Sequence, residues 1–394
     1  MLIRKLLLWC IALPVLPAFA LEQVVIEAGR HDRQSTIVTF TVPEKSGHFV
    51  LISGEDSIVV QVEGTHAYCI LGAMKAGTSK TYKVANAKQE WISAIALKQA
   101  GTQLNFANGE HPVLQYNGDK TPLPATVEPE YQRGGYIHPV YTPSGKLLTD
   151  DYPLNHKHHH GIWSPWTKTE YEGRKPDFWN MGQKTGRVDF DKLGESFAGP
   201  IASGFTTHHK MIDMKAVPEK NALNERWDVS IYRPMTANKN PIFVFDMTIT
   251  QNVVDSPLIL PKYQYGGLGF RGRGNWNGKG DVVTMLTSEG LTRADGNGKP
   301  SRWCWIGGPA EDGKPIGMTI MDHPSNFRSP QPVRLNPDQP FFCYSPSAAG
   351  DWKIEKGTPY VATYRFIAAD GAADVAEINR LWNDFAEPPK VTVK

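Results

Sequence analysis

The sequence has few cysteines, no charge imbalance of note and no long apolar run beyond its first twenty residues. Of its four cysteines, Cys10 lies in the opening apolar stretch, and Cys69, Cys304 and Cys343 are scattered without metal-ligand or redox spacing. That spacing excludes a thiolate zinc site and a dithiol redox centre. An odd number of thiols cannot pair completely. A Cys304–Cys343 bridge is open to an oxidising compartment, while buried thiols fit the spacing better. No fixed-period repeat and no low-complexity tract is present, so solenoid and propeller architectures are excluded.

The first residues explain the one apolar run. Arg4 and Lys5 precede Leu6 to Pro17, and Ala18-Phe19-Ala20 follows. A basic start, an apolar middle and a small-x-small ending predict a cleavable signal peptide over 1–20, cut near Ala20, and hence a periplasmic or secreted protein. The run is shorter than the roughly 20 apolar residues that span a bilayer. No later segment reaches that length, so no membrane partner is expected of the mature form. Removing Arg4 and Lys5 from the 42 basic residues leaves as many as the 40 acidic ones. Nothing in that balance predicts nucleic-acid binding.

Short alternating runs dominate the rest and predict an all-β protein. Ile37 to Val42, Ser57 to Val62 and Ala67 to Leu71 read as strands, as do Trp227 to Tyr232, Phe243 to Thr250, Val282 to Leu286, Gly317 to Met321 and Tyr360 to Phe366. Asn108-Gly109 supplies a tight turn between Gln103–Phe106 and Val113–Tyr116. Many short strands separated by turn residues point to a large β-sandwich. One helix stands out between Ala372 and Phe385, where Val375, Ile378, Leu381, Trp382 and Phe385 share a face and Pro388-Pro389 ends the run. Pro-rich segments at 121–125 and 128–130 suggest a linker. They divide the chain into a smaller β domain over 21–125 and a larger β-sandwich domain over 126–394.

Chemistry-bearing residues concentrate between Tyr136 and Trp179. His138, Tyr141, Asp150, Asp151, His156, His158, His159, His160, Trp163, Trp166, Asp177 and Trp179 fall there. If 156–162 is extended, His156, His158 and His160 share one face. Neutral imidazoles two apart can hold a divalent metal, with His158 and His160 as its ligands. They can also donate and accept protons near neutral pH. Any one histidine more often serves only to bond a buried carbonyl, but four within five positions favour a functional site. Trp163, Trp166 and Trp179 offer stacking platforms for a sugar. A second cluster, Tyr263 to Arg273, is Gly-rich yet lacks the lysine-serine ending of a phosphate loop. Its glycines suit close backbone packing that presents Arg271 to a ligand. The Trp276 beside it is as readily sandwich filler as platform. A third, Met321 to Arg328, places Asp322 and His323 at a strand end, with Arg328 and the nearby Arg334 as a clamp for a carboxylate or fixed hydroxyls. In the plainer reading Asp322 merely caps that turn.

Across Tyr136–Gly145, Asp151–Trp163, Asp177–Trp179, Gly266–Arg271 and Met321–Arg328 the chain resembles a secreted bacterial family of unknown function that carries a methane-monooxygenase-subunit-like label. The label implies a multi-span membrane protein, and those spans are absent here. The resemblance implies a role near carbohydrate breakdown and a β-supersandwich like that of galactose mutarotases, whose relatives pair a histidine acid with a carboxylate base beside ring-binding arginines. The leading expectation is a carbohydrate-active enzyme with His138, His158, His159, Asp151, Asp322 and His323 as acid–base groups. Tyr141, Trp163, Trp179, Arg271 and Arg328 would hold a small-molecule or oligosaccharide ligand. A non-catalytic sugar-binding protein and a metal-dependent enzyme are the alternatives. All three require positions 138, 158 and 323 to meet at one concavity.

Overall fold

The computed structural model describes residues 21–43, 46–87, 91–278 and 282–394. The expected signal peptide and its cleavage point at Ala20 lie outside the described residues. What is described is an all-β sandwich with one long helix. Among the described residues no helix is long and apolar enough to cross a membrane.

Three antiparallel sheets carry the fold. The first has seven strands, running from Thr36–Thr41 at one edge through Ser79–Asn86 and Gln23–Glu27 to the last strand of the chain, Lys390–Val393. It has its own apolar cluster, including Val24, Ile26, Val38, Phe49, Leu51 and Val60. The second, of eight strands, runs from Val333–Leu335 through Phe341–Tyr344, Leu268–Arg271, Ile162–Trp163 and Tyr136–Val140 to His111–Asn117, Gln103–Asn108 and Ala96–Ala100. The third is built on five long strands, Gly186–Ala198, Ala202–Asp213, Lys220–Tyr232, Asn240–Val253 and Tyr360–Asp370.

The second and third sheets face each other. Phe106, Leu114, Tyr116, Ile162, Phe270 and Phe342 from one meet Phe205, Trp227, Phe245, Met247, Ile320 and Phe366 from the other in a single core. Alternation along Asn240–Val253, where every second residue is buried over much of its length, is the sequence signature of that packing. On the outer face of the third sheet lies a further apolar layer, where Val244, Trp303, Met321 and Ile367 pack against Ile378, Leu381 and Phe385 of helix Val375–Ala386. The helix starts where Asp374 accepts a hydrogen bond from the Glu377 amide at 3.1 Å, an N-cap that satisfies one otherwise orphaned donor.

The expected strands coincide with observed ones, and the hairpin turn holds Gly109 at a φ of +58° between the paired residues Asn108 and His111. The boundary near residue 125 does not coincide with a change of sheet. Strands Ala96–Ala100, Gln103–Asn108 and His111–Asn117 belong to the second sheet, so the change falls between Asn86 and Ala96. The Pro-rich segment lies in the loop that joins the paired inner strands His111–Asn117 and Tyr136–Val140 of that sheet. Val113, Leu114 and Tyr116, which precede it, are committed to the sandwich core.

Candidate functional site

The second sheet is interrupted where strand Tyr136–Val140 pairs with the two-residue strand Ile162–Trp163 through the single register pair Ile137–Ile162. The chain between them leaves the sheet. It is not extended over 156–160 as the alternation argument assumed. The His156 amide bonds the Pro153 carbonyl and the His159 amide bonds the His156 carbonyl, both at 2.8 Å, giving two successive turns. The Tyr152 amide then closes the loop on the His159 carbonyl at 3.1 Å. Tight turns regroup the side chains, so His156, His158 and His159 cluster and His160 faces elsewhere.

These three imidazoles border a cavity of about 210 Å³. Their ring centroids lie 4.7–5.6 Å apart. Thr167, Trp179 and Asn180 border it from a second segment, Tyr263 and Tyr265 from a third, and Asn336 from a fourth. Asp177 builds the second segment. One carboxylate oxygen accepts from the amides of Trp179 at 2.9 Å and Asn180 at 2.8 Å. The other accepts from the Thr167 hydroxyl and the Asn180 side-chain amide, both at 2.8 Å. Trp179 stands edge-on to Tyr265 at 5.6 Å and to Trp163 at 5.7 Å. Trp163 is fully buried, so it supports this aromatic layer and offers no face to a ligand. Its strand partner is Gly269, where a Cβ would sit 3.2 Å from the indole; glycine is what lets the ring lie flat there.

Behind the imidazoles lies Arg271, also fully buried. It donates to Gln339 at 2.9 Å and Asn277 at 2.5 Å, and its Nη1 lies 3.4 Å from His159 Nδ1. Arginine has no acceptor atom, so His159 Nδ1 must carry the lone pair and the neutral ring its proton on Nε2. Burial and the neighbouring positive charge push these rings the same way. His158 is pushed down to about 3 by burial, then by His156, His160 and Arg271. His159 is driven well below the usual histidine value by burial, then by His158 and Arg271. His156 is lowered by burial and Arg271. Burial brings Arg271 itself down to about 10, against the pull of Asp150, 4.0 Å from its Nε. The three imidazoles are therefore neutral at pH 7.

A second constellation adjoins this one. His160 is fully buried and its Nδ1 meets Asp151 Oδ1 at 2.6 Å; Tyr136 donates to the other Asp151 oxygen at 2.9 Å. The carboxylate fixes the ring's orientation, while His160 Nε2 is buried with no partner among the described residues. His138 bonds Thr149 through Nδ1 at 2.9 Å, and burial lowers its pKa against the pull of Asp151 and Asp150. Burial raises Asp150. His138, Asp151 and Arg271 thus adjoin the cavity without bordering it, and Tyr141, half-buried beyond His138 at the end of its strand, does not border it either.

The metal expectation is corrected. His158 packs with His156 and His159, whereas His160 is committed to Asp151, so the two do not share a coordination point. Among the described residues no three His, Cys, Asp or Glu side chains are placed to hold a metal ion. The donor set does not fit a metal centre.

The third cluster also lies elsewhere. His323 packs on Phe385 of the C-terminal helix at 4.9 Å and bonds Ser325. Asp322, fully buried, accepts from Asn326, Ser329 and the Gln331 amide at 2.7–3.0 Å, so it braces the following loop. Arg328 donates to the carbonyls of Pro346, Gly350 and Asp351 and ties two loops together. The proposition that 138, 158 and 323 meet at one concavity fails twice: His138 does not border the cavity, and Asp322 ends a strand whose loop turns toward the helix on the outer face of the third sheet. Trp276 is fully buried and bonds the Pro309 carbonyl, which makes it filler. Cys69, Cys304 and Cys343 are free, buried thiols.

Sequence reasoning left His156, Thr167, Asn180, Tyr263, Tyr265 and Asn336 outside its selected site residues. The tyrosine pair lay in plain view in the Gly-rich stretch. Asn336 and Thr167 carry no local signal, because only tertiary folding brings them to the histidines.

A profile described as "Family of unknown function (DUF6807)" matches residues 103–383. No curated protein matches the chain. Among solved structures the chain is similar to a protein in the glycosyl hydrolase family 38 from Enterococcus faecalis, at 8% identity and a TM-score of 0.43. That match covers 95% of this chain and 47% of the other, so this chain spans about half the length of that protein.

Proposed function

The chain belongs to that family of unknown function, and from its own cavity we propose that it is a carbohydrate-active enzyme that moves a proton on a bound saccharide through the imidazoles of His156, His158 and His159. The observation that carries this reading is the meeting of three neutral imidazoles with Trp179, Tyr265 and the amides of Asn180 and Asn336 in one cavity. Aromatic edges and faces hold the apolar patches of a sugar ring, and amides, imidazoles and phenols pair with its hydroxyls.

The same lining argues against ordinary hydrolysis. Most retaining and inverting glycosidases place two carboxyl groups on either side of the bond they cleave. Among the described residues bordering the cavity there is no carboxylate. Asp151 is engaged by His160 and Tyr136, and Asp150 lies behind, beside Arg271. Proton abstraction by a neutral imidazole, leading to β-elimination or epimerisation, fits the groups present. The finer kinship, to secreted proteins with the methane-monooxygenase-subunit-like label and to a mutarotase-type supersandwich, is part of this proposal, as is export. Amino-terminal sequencing of the protein recovered from its host should begin at Leu21.

The test is incubation of the purified protein with a panel of oligosaccharides, with products read by mass. A product whose formation falls at least about a hundredfold in His158→Ala or His159→Ala is expected, the usual scale of a lost general base. Full activity in the double variant would sink the proposal. One observation favours a second reading, a sugar-binding protein without turnover: the low basicity of His158. It would show saturable binding at this cavity and no product from any saccharide.

A further inference from the structure

We propose that the saccharide taken by this cavity is acidic and carries a ring carboxylate. The proposal rests on reading the cavity as a sugar site and adds the charge of its ligand. Three side chains that border the cavity are each in direct contact with a cation. Arg271 Nη1 is 3.4 Å from His159 Nδ1. Lys168 Nζ sits 4.9 Å from the centre of the Tyr263 ring. The Arg334 guanidinium lies 5.0 Å from the Tyr265 ring and donates to the Tyr265 hydroxyl at 3.0 Å.

Opposing charge is sparse. The other side-chain partner of Arg334 is the neutral Asn297, and Lys168 makes no ion pair among the described residues. Arg271 has only Asp150, at 4.0 Å. Asp177 touches the lining, but both its oxygens are filled by four donors and none is left for a ligand. A concave site walled by low-dielectric rings concentrates such a field. A neutral sugar would leave it uncompensated, whereas a carboxylate would be drawn in.

Two further features fit. The Tyr265 oxygen must accept from Arg334, so the phenol's own proton is uncommitted among the described residues and can be given to a ligand. A carboxylate also acidifies the C–H beside it, which is what a weakly basic imidazole requires of its substrate.

The experiment is calorimetric titration of the full chain with trisaccharides of galacturonic, glucuronic and mannuronic acid and with their carboxyl-reduced counterparts. At least one acid should bind about tenfold or more tightly than its reduced form, about 1.4 kcal/mol. Raising the salt should narrow that gap. Lys168→Gln, an exposed position that leaves the fold intact, should lower acid affinity several-fold and spare the reduced form. Arg334→Gln should act in the same direction. Equal binding of acid and reduced forms, with Lys168→Gln silent, overturns the proposal and leaves the sugar-site reading standing. An acid preference untouched by both substitutions overturns the assignment to these cations. Binding of neither kind overturns both the proposal and the reading beneath it.

Discussion

At the scale of single residues, burial decides what each titratable group can do. His158 is the sharpest case, with its folded pKa near 3 against an ordinary value of 6.5. The unfolded chain therefore binds a proton that the folded chain refuses as the pH falls through that window. Stability is fully present above about 6.5 and is lost on acidification. At pH 5 the difference amounts to about 2 kcal/mol. Urea denaturation of wild type and His158→Ala at pH 7 and pH 5 should show a smaller acid loss in the variant. Equal losses would mean that His158 is solvated. Asp177 makes a different kind of prediction. Asp177→Ala strips four donors of their acceptor, and each group left unpaired costs about 1–3 kcal/mol where it is buried. A lower melting temperature is expected, and weakened sugar binding should accompany it because Thr167, Trp179 and Asn180 lose their common anchor.

At the scale of elements, what was legible in the sequence depended on whether a pattern was local. The strand Asn240–Val253 and the helix Val375–Ala386 announce themselves, because one buried face leaves a period of two or of 3.6 in the residues. Strands such as Leu268–Arg271, with every residue buried, leave no period and were not recognised. The histidine stretch was recognised as the site but given the wrong conformation. Pro153 and the turns that follow it replace an extended strand, and with them the grouping changes from 156, 158 and 160 to 156, 158 and 159. The Asp322–Arg328 cluster shows the converse error, since polar residues at a strand end brace a loop as readily as they bind a ligand. That the helix packs on the outside of a sheet was legible from its apolar face, but its polar tie to the N-terminal segment was beyond reach from sequence. Asp384 on the helix accepts from Arg33, Thr36 and Arg380, and the Arg33 pair is buried on both sides. Arg33 follows the first strand, so this contact ties the N-terminal sheet to the far end of the chain. Asp384→Ala leaves a buried guanidinium without its counter-charge, a loss of about 3–5 kcal/mol. Calorimetry should show a depressed transition, and Asp384→Asn, which keeps one acceptor oxygen, should lose less.

At the scale of the whole molecule, the cavity depends on how the two large sheets are set against each other, and a buried polar row fixes that setting. His209, Glu225 and Gln251 are cross-strand neighbours on three adjacent strands of the third sheet. His209 Nδ1 meets Glu225 at 2.9 Å, and Gln251 donates to the other Glu225 oxygen at 2.7 Å. From the facing layer, the Tyr116 hydroxyl reaches His209 Nε2 at 2.8 Å, and Trp166 donates to Gln251 at 2.6 Å. Apolar side chains pack in many registers at similar cost, but a row of buried donors and acceptors is satisfied in only one. The row also reaches the site, since Trp166 immediately precedes Thr167 at the cavity wall. Two substitutions separate stability from positioning. Tyr116→Phe removes a hydroxyl that does not border the cavity and leaves the buried His209 Nε2 without its partner, so it should cost about 1–3 kcal/mol and leave sugar affinity unchanged. Gln251→Leu orphans the Trp166 N–H and a Glu225 oxygen, each worth about 1–3 kcal/mol, and frees Trp166 to shift. Its melting temperature should fall further, and its sugar affinity should fall with it. If Gln251→Leu binds saccharide as tightly as wild type, the row holds the sandwich together without placing the cavity.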